Sequence, residues 1–426
     1  MTTAPLLRHN RDFVRLFAAQ LTSLVGSGVT SIALAALAFQ LAGAEATTII
    51  GYALTLRILA FVTLSPMAGI LADRVDRKRM LIAADVLRVA IMGAFPFITA
   101  IWQIYVLIFL VNAVTAFFTP TFEASIPDLV GERLYTRAIS LSRVATDLET
   151  IGGPLLAGLL IALVGVRWTF WFDALTYVVS ALLVWRSRVP RAPVPTTAFP
   201  WQGFGAQLTH GTRVFLREPS LRAALFLHFA EAAAGAAAIV STIVYVRTEL
   251  GRDESSFAMA MAAVGIGSSL AALLVTRQAT AIDDHNASHR WARRTLLAGG
   301  VLLSLALLPG AFRPSYAVLL ALWALNGAGQ AMIAVASVRQ LADHTAAEER
   351  GRVYAAHFAL THLCWLVTYP VVGLLSRSIG VPRMFSVAGG VALLMTGIAA
   401  RIRPTPRHER GGHAQVSRAR ESDTTL

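Results

Sequence analysis

Three carboxylic acids stand where their surroundings are apolar. Glu231 lies in LFLHFAEAAAGAAA, and Asp147 and Glu149 stand just ahead of IGGPLLAG. Their chemistry would be reversible protonation. A charged carboxylate is costly in a low-dielectric setting, so an acid there can take up and give back a proton. Glu231 leads this reading because His228 lies one turn before it on the same helical side. A structural partnership between Glu231 and Arg57 or a polar neighbour is the alternative. Arg57 could also hold an anion of a substrate. Asp85 and Arg88, three residues apart, are expected to pair with each other. Asp173 is expected to be peripheral, and Glu123 interfacial.

Other chemistries find no support. Lys78 is the sole lysine, and no phosphate-cradling glycine loop surrounds it, so ATP hydrolysis through a Walker site is excluded. His285 and His289 have helical spacing and acidic neighbours but no HExxH, so no metal site is expected. There is no nucleophilic serine elbow, and the single cysteine, Cys364, cannot form an internal disulfide. The expectation is a protein that is not an enzyme and needs no cofactor.

The elements that must position these acids follow from composition. The 426 residues are 56% hydrophobic and only 14% charged, well below the roughly 25% of soluble domains. Mean hydropathy is +0.61. Apolar segments of about 20 residues, the length that crosses a bilayer, recur at 14–41, 47–72, 80–100, 103–123, 139–165, 168–186, 221–246, 256–276, 295–311, 315–336, 353–376 and 381–401. The fold class read from this is an all-α membrane protein of twelve transmembrane helices in two six-helix pseudo-symmetric bundles. The domains are residues 1–186, a cytoplasmic linker at 187–220 with an amphipathic stretch, residues 221–403, and a disordered tail at 404–426.

The net charge of +13 alone could suggest nucleic acid, but no basic stripe with interleaved aromatics exists. The charge instead reports orientation. With the N-terminus inside, 29 of the 37 basic residues fall in cytoplasmic segments and tails and six in outer loops, a strong positive-inside bias. Both termini are therefore expected in the cytoplasm. The halves also rhyme: Asn112 and Asn326 are each followed 16 or 17 residues later by an aspartate, Asp128 or Asp343. Such internal symmetry suggests a transporter with its site between the repeats near the midplane.

The stretch GILADRVDRKRML, between the second and third segments, resembles motif A of the major facilitator superfamily. IGGPLLAG in the fifth resembles motif C, the signature associated with exporters of that superfamily. The resemblance spans about residues 10–403 and is nearest to the bacterial enterobactin and macrolide efflux proteins. It implies that Gly69, Asp73, Arg74 and Arg77 form a conformational latch, Asp73 lying by the start of helix 11 and pairing with Arg77. Plain positive-inside anchoring is the simpler role for the same residues. Asp76 replaces the usual glycine and is expected to tolerate a left-handed turn. Gly153, Pro154 and Gly158 would give helix 5 a flat, kinkable face. The family layout puts helices 1, 4, 7 and 10 around a central cavity, where Gln20, Asn112 and Asn326 could orient a ligand and Phe118 and Trp323 wall it.

The expected function is proton-driven export, by alternating access, of an amphipathic small molecule such as an antibiotic or siderophore. The partners are that substrate, protons and the lipid bilayer, with no nucleic acid; the protein is expected to be a monomer of the bacterial inner membrane. A proton-coupled importer and a non-transporting sensor or scaffold are the alternatives.

Overall fold

The computed structural model describes residues 10–72, 75–189, 212–280, 282, 284–345 and 350–402. Among these the secondary structure is helical throughout. The long helices are α1 (Arg11–Ala42), α2 (Ala46–Ala72), α3 (Arg77–Ala94), α4 (Ile101–Val130), α5 (Glu132–Val164), α6 (Val166–Arg186), α7 (Pro219–Val244), α8 (Glu254–Thr280), α9 (His285–Leu307), α10 (Tyr316–His344), α11 (Arg350–Ile379) and α12 (Val381–Arg401). Among the described residues ten helical stretches are long and apolar enough to cross a membrane. Leu163, Leu175, Trp168 and Trp185 are exposed on their surfaces, as expected of side chains that face lipid. The chain is a multi-pass membrane protein.

Several helices outrun the apolar segments read from sequence. α4 continues through Pro120 and Pro127 to Val130, α5 begins at Glu132 and α9 at His285. Hydropathy measures the apolar slab, whereas helices project beyond it on polar turns. Local signals set the ends. Asn10 caps α1 by accepting from the Phe13 N–H at 2.9 Å. Asp76 caps α3, accepting from the Arg79 N–H at 3.2 Å with φ −58°. The left-handed turn expected at Asp76 is therefore absent, because the side chain serves the free N–H groups of the next helix instead. Left-handed φ appears at Gly165 (+82°), between α5 and α6, and at Gly380 (+84°), between α11 and α12. Glycine alone adopts it cheaply.

Packing repeats with a shift of six. α1 lies on α5 and α6, α2 on α4, and α3 on α4 and α6; correspondingly α7 lies on α11 and α12, α8 on α10, and α9 on α10 and α12. The cross-pairs obey the same shift: α2 meets α11, and α8 meets α5. Lipid removes any hydrophobic drive between helices, so close approach rests on small residues. α7 illustrates this, with Ala230 and the run Ala232–Ala238 buried.

Candidate functional site

A cavity of about 370 Å³, within the range of small-molecule sites, is lined by residues of α1 to α8, α10 and α11. Its lining is mostly apolar, with Ile50, Leu54, Ile239, Phe257 and Met261 among the walls. Set into it are Arg57 of α2, Asn112 of α4, Glu149 and Pro154 of α5, Asp173 and Tyr177 of α6, Gln330 of α10 and Tyr369 of α11.

Most of these polar groups are already committed. The Thr30 hydroxyl donates to Asp173 at 2.5 Å, and the Thr176 hydroxyl approaches its other oxygen at 3.2 Å. Asn112 donates its amide to the Ile108 carbonyl at 2.8 Å, and Gln330 donates to Asn326. The Tyr177 and Ser27 hydroxyls lie 3.1 Å apart. Arg57 and Glu149 differ: among the described residues neither has an ion pair or hydrogen bond. Arg57 is exposed.

Motif C builds the wall that carries Glu149. A Cβ on Gly153 would come 2.8 Å from the Gly28 Cα, so α1 and α5 touch backbone to backbone. A Cβ on Gly158 would meet the Ala258 Cβ at 3.0 Å, which joins α5 to α8. Pro154 faces the cavity between them.

Glu231 lies elsewhere. Its carboxylate is 2.8 Å from His228 Nδ1 within α7, and the His228 ring stands 4.9 Å from that of His357 on α11. It is not among the cavity-lining residues. Nor are four other residues expected there. Phe118 is buried against Phe122 and beneath the Arg88 guanidinium. Trp323 is 1% exposed and donates to Thr242 at 2.9 Å. Asn326 is fully buried, reaching the cavity only through Gln330. Gln20 keeps a buried oxygen without a partner. The family layout implied by the resemblance placed these residues on cavity-lining helices, but helix rotation turns them away from the cavity. Arg57 and Asn112 do line the cavity.

Asp173 was expected at the periphery and is instead buried on the cavity wall. The sequence held the signal, since an acid within a span is costly unless used. Asp85 and Arg88 pair as expected, 3.4 Å apart and both buried, with Ser180 donating to Asp85 at 2.7 Å. In motif A, Arg77 is buried and bonds Asp128 and the Ala124 carbonyl at the end of α4. Asp73 and Arg74 lie outside the described residues, as do the surroundings of Gly69, the side chain of Asp147, the linker between 190 and 211 and the tail beyond 402.

At one end α2 and the turn before it meet α11. Thr47 of α2 donates to the Gly373 carbonyl of α11 at 3.2 Å, Glu45 and Arg377 pair at 2.8 Å, and a Cβ on Gly51 would strike the Tyr369 carbonyl at 2.6 Å. At the other end Tyr354 and Phe358 of α11 are exposed.

The family model for the Major Facilitator Superfamily matches residues 16–282 and 224–425. The chain belongs to the major facilitator superfamily. Within it, the chain is 26% identical to the multidrug efflux pump Tap of Mycolicibacterium fortuitum over 406 residues, 92% of this chain and 95% of that one. It is 28% identical to macrolide efflux protein A of Streptococcus pyogenes over 185 residues, 42% of this chain. That match spans 45% of the macrolide protein, less than half its length. A solved bacterial homologue of the human lysosomal transporter Spinster, inward-facing and unoccupied, shares the fold with a TM-score of 0.71 at 13% identity, covering 94% of this facilitator chain and 99% of that one.

Proposed function

We propose that this facilitator protein is a proton-driven exporter of an amphipathic small molecule, working by alternating access through twelve crossings in two six-helix bundles. The observation that carries the reading is Glu149: a carboxyl without a bond among the described residues, on the wall of a mostly apolar cavity between the halves. A carboxyl so placed can hold either a proton or a cationic group of a substrate, but not both, and that competition exchanges one for the other.

The packing repeat supports the two-bundle division, because every major contact recurs six helices on. The positive-inside bias supports cytoplasmic termini. With that orientation, the seal at Glu45–Arg377 and Thr47–Gly373 closes the outer end and the cavity faces inward. The efflux relatives, at low identity, support export over import.

The test is efflux of cationic dyes and macrolides from cells expressing wild type, Glu149→Gln and Asp73→Asn, with and without a proton uncoupler. Uncoupler-sensitive efflux lost in Glu149→Gln is expected. Energy-dependent accumulation would establish import instead, and no flux of any compound would favour a sensor.

A further inference from the structure

Two side chains of opposite charge, Arg57 and Glu149, open into the central cavity, and neither is ion-paired or hydrogen-bonded among the described residues. They are near enough for the charge of one to act on the other. Yet they do not close into a pair. The other carboxyl and the amides named above each have a partner: Asp173 has two hydroxyls, Asn112 a carbonyl, Gln330 an asparagine. What remains unmatched is one cation and one anion on an apolar surface.

Charges beside apolar walls are costly unless matched, and a ligand meets the cost of both only by bringing both complements. A molecule with a single positive charge would satisfy Glu149 and be repelled by Arg57. A molecule with a single negative charge would suit Arg57 and meet two carboxyls, Glu149 and Asp173. An uncharged one would leave each charge in place and displace its water. The guanidinium is a planar fork whose geometry fits a carboxylate through two parallel bonds. From this we infer that the substrate is an amphipathic zwitterion, its carboxylate held by Arg57, its amine by Glu149 and its apolar body by Ile50, Leu54, Phe257 and Met261. The cavity volume of about 370 Å³ restricts that body to a compact, drug-sized molecule. The inference rests on the exporter reading and names the substrate class of the same site.

The test uses a fluorescent zwitterion and two derivatives that each lose one charge. Ciprofloxacin carries a carboxylate and a piperazinium; its methyl ester keeps only the cation, and its N-acetyl derivative only the anion. Binding of each to the full chain in lipid nanodiscs is followed by quinolone fluorescence. The parent should bind about tenfold or more tightly than either derivative. Arg57→Gln should erase its advantage over the ester, and Glu149→Gln its advantage over the N-acetyl compound. If a glutamine variant does not elute as folded protein, Arg57→Lys or Glu149→Asp carries the same comparison, with a smaller loss expected.

Equal affinity for all three compounds, an advantage that survives both variants, or no binding of any compound would each overturn the inference. Uncoupler-sensitive efflux of cationic dyes without a preference for zwitterions would leave the exporter standing while this inference falls. Absence of efflux of every compound would remove the exporter reading itself.

Discussion

Gly153 of α5 rests on Gly28 of α1, so closely that a Cβ on Gly28 would lie 3.0 Å from the Gly153 Cα. The same Cβ would lie 3.1 Å from the Glu149 Cγ, one turn earlier on α5. The glycine pair therefore does more than pack. By drawing α5 onto α1 it holds the Glu149 side chain at the cavity wall, and motif C becomes the support of the candidate proton site.

Gly153→Val should force the two helices apart. Overpacking of this kind costs about 1–3 kcal/mol, read as a lower melting temperature in nanodiscs. Efflux should fall further than stability does, because Glu149 moves with the helix. Unchanged efflux in a stable Gly153→Val protein would separate motif C from the acid.

Glu149→Gln should abolish uncoupler-sensitive efflux and, through its weaker hold on substrate, reduce energy-independent exchange across the membrane as well. Glu231→Gln should keep coupled efflux, since Glu231 bonds His228 inside α7 and does not line the cavity. The opposite result, coupling lost only in Glu231→Gln, would return the proton site to α7.

The contact of Thr47 with Gly373 offers a direct handle on alternation. In a chain carrying Cys364→Ala, which removes the sole native thiol, Glu45→Cys with Arg377→Cys, at the ion pair beside that contact, should form a reducible crosslink with a bis-methanethiosulfonate reagent. Efflux should stop when it forms and return on reduction. A crosslinked protein that still transports would show that this end need not open.

Arg88 is buried between the Phe118 and Tyr177 rings and beside Asp85. Arg88→Leu leaves Asp85 as an uncompensated buried charge and should destabilise the protein by about 3–5 kcal/mol. The double variant Asp85→Asn with Arg88→Leu should recover part of that loss. Thermal unfolding of the three variants checks it; a double variant no better than the single would show that Arg88 acts through its ring contacts.

Particular residues mark how far sequence reading reached. Arg57 and Asn112 were legible as cavity residues because a charge or an amide deep in an apolar segment must be matched by something. Glu231 satisfied the same rule, yet it does not line the cavity, and its match is His228 on its own helix, 2.8 Å away. Asp173 was misjudged in the other direction. Its partner Thr30 lies 143 positions away, a separation no local pattern reports.

The sequence by itself determined that the chain lives in a bilayer, where its apolar segments lie, and which superfamily it resembles. The first two follow from apolar length against slab thickness, the third from the stretches GILADRVDRKRML and IGGPLLAG. It also set the distribution of basic residues that orients the chain. Only the tertiary structure decided which acid faces the cavity, that Arg57 and Glu149 stand there uncommitted, and that the halves touch at the Thr47–Gly373 end. Those outcomes depend on the rotation of each helix about its axis. Rotation is set by which small residues let two backbones meet, as Gly28 and Gly153 do, and that pairing joins segments far apart in the chain.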